Sequence, residues 1–400
     1  MATADVVVIG GGVNGASTAF HLASLGLRQV VLVERGHLAA GASGKSGSLV
    51  RMHYTNAYES RLALESLKVF HDFSARVGGE CGFERAGFVQ IVPRGYEATL
   101  AHNVEAQHEL GINTRLIAPA DLAEVLPGAF LDDIGGAAYE ADSGFADPVA
   151  TTFAYAAAAA RLGVQVRTRC AALRVVTAGS GDRVCAVETE GGRIDTEAVV
   201  LAPGAWASSL LAPLGLEYGL QPQRVQVAIF RWPAGYTRRH AVVIDAVNHT
   251  WFRPEGPAAT LAGTELGMGD TSPDRFEEGV DADYVTLTRE RLTARMPGFS
   301  EAPMRGGWAG VIMMSPDGRP LIDQVPSVRG LWVMLGDSGT SFKTAPAIGQ
   351  CLAEWIVHGT PRLVDLAPFR STRFAEGQPW LDEHHYGRDG YGPDRLTISR

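Results

Sequence analysis

The sequence lacks three features, each of which would point to a particular class of protein. Its four cysteines, Cys81, Cys170, Cys185 and Cys351, lie far apart and form no CxxC pair, which argues against a zinc site or a redox dithiol. Basic residues are outnumbered, with 35 Lys and Arg against 44 Asp and Glu, so nucleic acid is not expected as the main partner. No apolar run reaches the length of about 18 residues that would predict a membrane-spanning helix.

The N-terminus has no basic segment ahead of an apolar stretch, so no secretory signal is predicted. The scattered cysteines are expected to be reduced thiols, and we therefore expect a cytoplasmic protein. Hydrophobic residues make up 46% and charged residues 20% of the 400 positions, which is typical of a globular protein with a large core. This length favours two domain-sized units.

The features that are present begin at the N-terminus. In order, they are a β-branched run at 6–9, a GxGxxG motif at 10–15, a helical pattern at 16–25, a strand pattern at 29–33 and an acid at 34. Gly10 permits a tight turn, Gly12 lets the backbone approach a pyrophosphate, and Gly15 lets the helix pack on the strand. Glu34 lies at the distance expected of an acid that binds ribose hydroxyls. Together they predict dinucleotide binding; the acid disfavours NADP, while NAD and FAD both remain open.

Periodicity along the rest of the chain predicts alternating helices and strands. Helices are expected at 58–77, 151–162 and 345–358, and strands at 87–92, 164–166, 172–176, 183–189, 198–202, 226–230, 251–253 and 330–335. Asp147 followed by Pro148 is expected to begin the second helix as an N-cap and a first-turn proline. Short strands between Gly219 and Gly263 favour an antiparallel sheet that covers the substrate, rather than a continuation of the βαβ layer.

We therefore predict an α/β fold, α+β overall, in which a Rossmann-type domain is interleaved with an antiparallel-sheet substrate domain. The first domain is assigned to 1–80, 143–215 and 306–370, and the second to 81–142 and 216–305. Residues 375–400 are expected to form an extended C-terminal tail, for which Trp380, Tyr386 and Tyr391 are candidate anchors. His384 and His385 in this tail are interpreted as surface polarity rather than as a metal site, and no metal ligand is predicted.

Five motifs carry a resemblance to a known family. They are GxGxxG with Glu34, GASGKSG at 41–47, PGAW at 203–206, WAG at 308–310 with SPDGRPLI at 315–322, and GDSGTSFK at 336–343 with APAIG at 345–349. Over residues 4–374 the sequence resembles the D-amino-acid oxidase superfamily of flavoenzymes, and within it the sarcosine oxidase and glycine oxidase-like group. The resemblance selects FAD over NAD, so the Rossmann-type domain is expected to bind FAD.

The resemblance implies oxidation of the C–N bond of a small carboxylate-bearing amine, such as an amino acid, an N-alkyl amino acid or a cyclic imino acid. Hydride would pass to flavin N5, and the imine product would hydrolyse. Arg51 and Lys343 match the cations that hold the substrate carboxylate in this group. A guanidinium suits a carboxylate bidentately and an ammonium adds a point charge. A cation at a helix start also opposes the helix dipole, which favours a functional role for Lys343.

Further residues are assigned by their position in these motifs. Beside Arg51 and Lys343, the residues expected near the substrate are Lys45, Tyr54, Trp251 and Met313, although core packing explains Met313 equally well. The residues expected to bind FAD are Gly10, Gly12, Val13, Asn14, Gly15, Glu34, Arg35, Ala42, Ser43, Lys45, Ser46, Val166, Gly204, Trp206, Gly310, Gly336, Gly339, Thr340, Ser341 and Lys343.

The sequence departs from this group at two positions. Gly310 stands where monomeric sarcosine oxidases attach FAD through a cysteine, so FAD is expected to bind non-covalently. Leu261 stands where those oxidases carry a lysine that promotes reaction with oxygen, because a nearby cation stabilises developing superoxide. Lys45 is a candidate substitute, and a phosphate contact or a solvated charge explains it equally well. The electron acceptor is therefore either oxygen or an electron-transfer partner.

Three alternatives to a simple amino-acid oxidase follow. The chain is a dehydrogenase, or a subunit of a complex, that passes electrons to a quinone or a partner flavoprotein; or it is a tailoring oxidase for a larger amino acid in a biosynthetic pathway; or it is a cofactor-binding scaffold without chemistry. The presence of both Arg51 and Lys343 argues against the last alternative.

Overall fold

The computed structural model describes residues 2–265, 268–380, 382 and 384–386. Within these residues the helices are α1 (Val13–Ser24), α2 (Ala57–His71), α3 (Phe73–Arg76), α4 (Glu97–Glu109), α5 (Pro119–Val125), α6 (Pro148–Arg161), α7 (Ala207–Leu211), α8 (Ala282–Arg295) and α9 (Ala345–His358). The strands are β1 (Ala2–Thr3), β2 (Val6–Ile9), β3 (Val30–Val33), β4 (Leu49–Val50), β5 (Phe88–Pro93), β6 (Thr114–Leu116), β7 (Ile134–Glu140), β8 (Gly144–Phe145), β9 (Gln165–Arg167), β10 (Ala172–Thr177), β11 (Val184–Thr189), β12 (Gly192–Asp195), β13 (Val199–Leu201), β14 (Gln221–Arg231), β15 (Val242–Asp245), β16 (Thr250–Pro254), β17 (Ala259–Thr264), β18 (Gly269–Asp270), β19 (Met304–Met314), β20 (Leu321–Gln324) and β21 (Leu331–Leu335).

The N-terminal strand β2 lies inside a parallel sheet with the strand order β20-β21-β13-β2-β3-β9, in which only β20 runs antiparallel to its neighbour. Side chains of β2 alternate between two cores: Val6 and Val8 pack towards α1, α6 and α9, and Val7 and Ile9 pack towards the other face. That other face is covered by a smaller sheet of order β1-β12-β11-β10. A strand buried on both faces explains the uninterrupted β-branched sequence.

A second, larger sheet has the order β18-β14-β17-β16-β15-β5-β7-β6, with β19 paired along the other edge of β14. Its pairs are antiparallel except for β15 with β5. The predicted fold class is confirmed, since a Rossmann-type layer and a mainly antiparallel sheet alternate along the chain. β19 pairs with β14 from Met304 to Met314, and the chain re-enters the parallel sheet at β20.

The helices agree with the prediction in part. The carboxylate of Asp147 accepts hydrogen bonds from the N–H groups of Val149 and Ala150, and Pro148 occupies the first turn of α6. The helix expected at 58–77 is divided at Asp72 into α2 and α3. Helices α4, α5 and α8, which cover the larger sheet, are additions to the expected pattern.

The described part of the C-terminal tail is attached to the body of the protein. The Trp380 ring lies edge-on to Tyr58, and Asp382 and Tyr386 are both buried. Tyr391, the third candidate anchor, lies outside the described residues. Among the residues with a described placement, no helix has the length and apolarity needed to cross a membrane, and no group of three or more His, Cys, Asp and Glu side chains could hold a metal ion.

Candidate cofactor and substrate site

The larger cavity, about 420 Å³, opens at the carboxyl ends of β2, β3, β13 and β21. The connections that follow β2 and β13 run in opposite directions across the sheet, towards β3 and towards β21, and such a position is where these sheets bind ligands. Gly10, with φ of +114°, lies so close to the next strand that a Cβ would be 2.2 Å from the Ala202 carbonyl oxygen. A Cβ on Gly15 would be 1.9 Å from the Gly10 carbonyl oxygen, so Gly15 sets the contact between α1 and β2. Both glycines are therefore required by space.

One end of this cavity is formed around Glu34. Its carboxylate accepts hydrogen bonds of 2.7 Å from the N–H groups of Gly11 and Gly36, which fixes the acid at the end of β3. The guanidinium of Arg35 lies 4.8 Å over the Trp206 ring. Asp274, from the connection between β18 and α8, accepts hydrogen bonds from both Arg35 (2.9 Å) and the Trp206 indole (2.8 Å). The domain that contains the larger sheet thus contributes Asp274 to the wall of the larger cavity.

The start of α1 leads from this cavity into the next. The Ser43 hydroxyl accepts a hydrogen bond of 3.0 Å from the N–H of Val13. The amide of Asn14 donates to Ser341 Oγ at 3.3 Å, and Ser341 donates to Asp337 at 3.1 Å. The Asn14 side-chain oxygen is buried and has no hydrogen-bond partner among the described residues. These contacts connect the first motif of the sequence to the last.

The smaller cavity, about 140 Å³, lies between the parallel sheet and the larger sheet and shares Val13, Asn14, Ala42, Ser43 and Asp337 with the first. Arg51 and Lys343 both line it, with 1% and 7% of their surfaces exposed. The ring of Tyr54 lies against both cations, 4.4 Å from Arg51 Cζ and 5.3 Å from Lys343 Nζ. The Thr340 carbonyl oxygen accepts a hydrogen bond of 2.9 Å from Lys343 and one of 3.3 Å from the Tyr54 hydroxyl.

Burial dominates the electrostatics of these side chains. Burial, together with the charge of Arg51, holds the pKa of Lys343 well below its usual range. Burial also raises the pKa of Tyr54, so its hydroxyl stays protonated. The carboxylate of Glu140 accepts the Met52 N–H at 2.9 Å, beside Arg51, and burial raises the pKa of this acid. Arg51 and Lys343 present two basic groups to one cavity, and this arrangement favours an anionic ligand because opposite charges attract strongly where water is excluded.

The indole of Trp251 forms one wall of the smaller cavity. It lies between two glycines: a Cβ on Gly47 would be 2.3 Å from Cη2 of the ring, and a Cβ on Gly263 would be 2.6 Å from Cε2. Gly47 belongs to the GASGKSG motif and Gly263 to β17, so this ring joins the two domains across the cavity.

The structure places most of the predicted residues on these two cavities. Those that line one or both are Gly10, Gly12, Val13, Asn14, Glu34, Arg35, Ala42, Ser43, Lys45, Ser46, Arg51, Gly204, Trp206, Trp251, Gly310, Met313, Gly336, Gly339, Ser341 and Lys343. Met313, expected near the substrate, lines the larger cavity instead.

Four predicted residues lie outside both cavities. Gly15 acts through helix packing, Tyr54 contacts both Arg51 and Lys343, and Thr340 accepts a hydrogen bond from Lys343. Val166 lies in β9. It packs against the core beside the parallel sheet and does not line the larger cavity.

Lys45 and Leu261 are the two positions that bear on the identity of the electron acceptor. Nζ of Lys45 lies 2.6 Å from a carboxylate oxygen of Glu278, and its stem lies against Gly310, where a Cβ would be 3.1 Å from Cβ of Lys45. Leu261 is 0% exposed in the core beneath the larger sheet and lines neither cavity.

Four residues that line the two cavities were not predicted from the sequence. Gln226, Ile244 and Thr264 reach the smaller cavity from β14, β15 and β17, and Asp274 reaches the larger one. Period-two alternation marks the strands but not the face that meets the other domain, so no local signal identified these four residues.

A family model described as FAD dependent oxidoreductase, the DAO model, matches residues 5–355. The chain belongs to the DAO family. Its sequence is 30% identical to mouse (Mus musculus) mitochondrial sarcosine dehydrogenase over 90% of this chain and 40% of that protein. It is 28% identical to the glycine oxidase of Geobacillus kaustophilus over 92% of this chain and 97% of that one. The resemblance inferred from the motifs is confirmed.

Solved structures agree on the DAO fold. L-proline dehydrogenase from P. horikoshii superposes with a TM-score of 0.87 at 23% identity, covering 95% of this chain and all of that one. This DAO-family chain spans only about 40% of the length of sarcosine dehydrogenase, one of the curated relatives it matches.

Proposed function

We propose that this chain binds FAD non-covalently and oxidises the C–N bond of a small amine that carries a carboxylate. The observation that carries the proposal is the convergence of Arg51 and Lys343 on one small cavity that joins the dinucleotide cavity. A cytoplasmic location is part of the same proposal and is supported by the four cysteines, which are free thiols.

The residues of the larger cavity fit FAD. The close approach at Gly10 leaves room for a diphosphate at the start of α1, where N–H groups and the helix dipole favour anions. Glu34 is fixed where a ribose would bind. Asn14 lines both cavities, and its buried side-chain oxygen has no hydrogen-bond partner among the described residues. When bound, FAD supplies the hydride acceptor. Gly310 leaves no thiol at the position expected for covalent attachment, which supports non-covalent binding.

The protein side chains act on the substrate by position and charge. Arg51 offers a planar fork to the carboxylate and Lys343 a second positive charge, and Tyr54 holds both in place. Trp251 limits the volume next to them. The substrate amine would react in its neutral form as its α-hydrogen leaves as hydride, and the imine product would hydrolyse in water. This chemistry needs orientation more than a strong general base.

A second candidate differs in the electron acceptor. Lys45 is paired with Glu278, and the apolar Leu261 stands where a lysine would promote the reaction with oxygen, which favours a dehydrogenase over an oxidase. An electron-transfer partner, a quinone or a partner flavoprotein, would then replace oxygen. A tailoring oxidase for larger amino acids is disfavoured by the small volume of about 140 Å³ beside Arg51 and Lys343.

The test uses the purified, FAD-loaded protein. A panel of amines with and without a carboxylate is mixed with it anaerobically, and bleaching of the flavin absorption is followed; admitting oxygen then reports whether oxygen is the acceptor. Arg51→Gln and Lys343→Met should each raise the apparent KM by more than about tenfold, because loss of a buried charged contact costs about 2–5 kcal/mol. Arg174→Gln, which removes an exposed ion pair with Glu188, is the matched control. Turnover of carboxylated amines that is unchanged in both variants would reject the site.

A further inference from the structure

The described part of the C-terminal tail lies against the back of the loop that carries Arg51 and Tyr54. We call Trp380, Asp382 and residues 384–386 the C-terminal segment. Within it, the hydroxyl of Tyr386 accepts a hydrogen bond of 2.8 Å from the Asn103 amide and shares one of 2.8 Å with His53 Nε2. The rings of His53 and Tyr386 are stacked, with centroids 5.8 Å apart. The segment thus contacts the residue on the N-terminal side of Tyr54.

A second contact is made on the other side of Tyr54. The buried carboxylate of Asp382 accepts a hydrogen bond from the Thr55 hydroxyl and forms an ion pair with Arg319. Arg319 is itself buried and also pairs with Glu59 of α2. Both neighbours of Tyr54 in the chain, His53 and Thr55, are therefore held by the C-terminal segment.

Tyr54 is the side chain that contacts both substrate cations. Its ring packs against Arg51 and Lys343, and its hydroxyl shares the Thr340 carbonyl with Lys343. We propose that Tyr386 and Asp382 are positioning residues for this reaction: by holding His53 and Thr55, they fix the Tyr54 ring and so the separation of the two cations that receive the carboxylate. The inference rests on the proposed function, because it concerns the same site.

The protonation of His53 agrees with this role. Burial and the charge of Arg51 lower the pKa of His53 to about 3, so the imidazole is neutral at ordinary pH. A neutral ring leaves Nε2 able to accept a hydrogen bond from Tyr386, whose oxygen accepts the Asn103 amide. The segment therefore fixes the loop without placing a further positive charge beside Arg51.

The experiment compares Tyr386→Phe, Thr55→Val and their combination with the unmodified FAD-loaded protein. Each variant removes one hydroxyl and keeps the shape of the side chain. We expect KM for the carboxylated amine to rise about tenfold in each single variant, from loss of a buried hydrogen bond, while kcat changes little. Ser371→Ala is the matched control, because it removes a buried hydroxyl that contacts Asp323 and lines neither cavity; its KM should stay at the unmodified value.

A second readout does not depend on the substrate. Backbone hydrogen exchange of residues 49–56 is measured in the same proteins, and it should be faster in Tyr386→Phe and Thr55→Val but not in Ser371→Ala. Unchanged exchange and unchanged KM in the double variant would overturn the inference. If exchange accelerates but the unmodified protein oxidises no carboxylated amine, the proposed function fails and the positioning of the loop stands. If kcat falls and KM rises to the same extent in Tyr386→Phe, in Thr55→Val and in the control Ser371→Ala, the role of these residues is merely structural. That result would also overturn the inference.

Discussion

The packing of Trp251 between two glycines gives a prediction whose size follows from the structure. Gly263→Ala would add a Cβ 2.6 Å from the indole, far inside van der Waals contact. Trp251 is 7% exposed and meets Gly47 on another part of its ring, so the indole is confined from both sides. The clash can be relieved if the indole turns towards the smaller cavity, which Trp251 lines.

We expect Gly263→Ala to lower the free energy of unfolding by about 1–3 kcal/mol, the usual cost of overpacking a core. Gly306→Ala in β19 is the control, because an added Cβ there meets nothing within 4 Å. Replacing a strand glycine with alanine in open space instead stabilises by about 0.5–1 kcal/mol. Trp251→Phe shortens the ring, so the double variant with Gly263→Ala should lose less than the sum, with a coupling of about 0.5–3 kcal/mol.

The assay is denaturant unfolding of the FAD-loaded proteins, with turnover measured on amines of increasing size. In Gly263→Ala the KM for the larger amines should rise more than that for the smallest, because the displaced indole narrows the cavity. Equal unfolding free energies for Gly263→Ala and Gly306→Ala, or strict additivity in the double variant, would refute the packing described for Trp251.

Three further predictions concern the cofactor and the cations. The pKa of Lys343 is lowered by burial and Arg51, so affinity for a carboxylate should fall as pH rises through that pKa, and Lys343→Met should abolish this limb of the pH profile of KM. Gly10→Ala should abolish FAD binding, measured as flavin absorbance per protein, because its Cβ would lie 2.2 Å from Ala202 O. Asp274→Asn should speed FAD dissociation by less than about tenfold, since exposed ion pairs contribute little, and stopped-flow flavin fluorescence would measure it.

The cofactor half of the site could be predicted from the sequence because its determinants are local. Gly10, Gly15 and Glu34 occur within one βαβ unit, and each position is set by the turn and helix that follow it. The substrate half could be predicted only through the resemblance, since Arg51 and Lys343 meet through tertiary packing. Their contact through Tyr54 carries no signal in the spacing of the residues.

The failure to predict helix α8 from the sequence also has a physical reason. Helix α8 buries Tyr284, Thr288, Leu292 and Arg295, which is a helical spacing, but two of the four are polar and hide the pattern. Arg295 is accommodated in the core by Asp245 and Asp133 from distant segments. A burial that depends on non-local ion pairs cannot be inferred from hydrophobic periodicity.

The attachment of Tyr386 to the loop at Arg51 has a consequence for biosynthesis. A chain leaves the ribosome from its N-terminus, so the glycine turn, Glu34 and Arg51 emerge long before Lys343 and the C-terminal segment. The larger cavity also needs β13 and β21, and β21 ends only at Leu335, so neither cavity can form until the chain has been made past Lys343. A product truncated before Leu331 should therefore bind neither flavin nor substrate. A product truncated just before Trp380 should keep both cavities and lose only the contacts that hold His53 and Thr55.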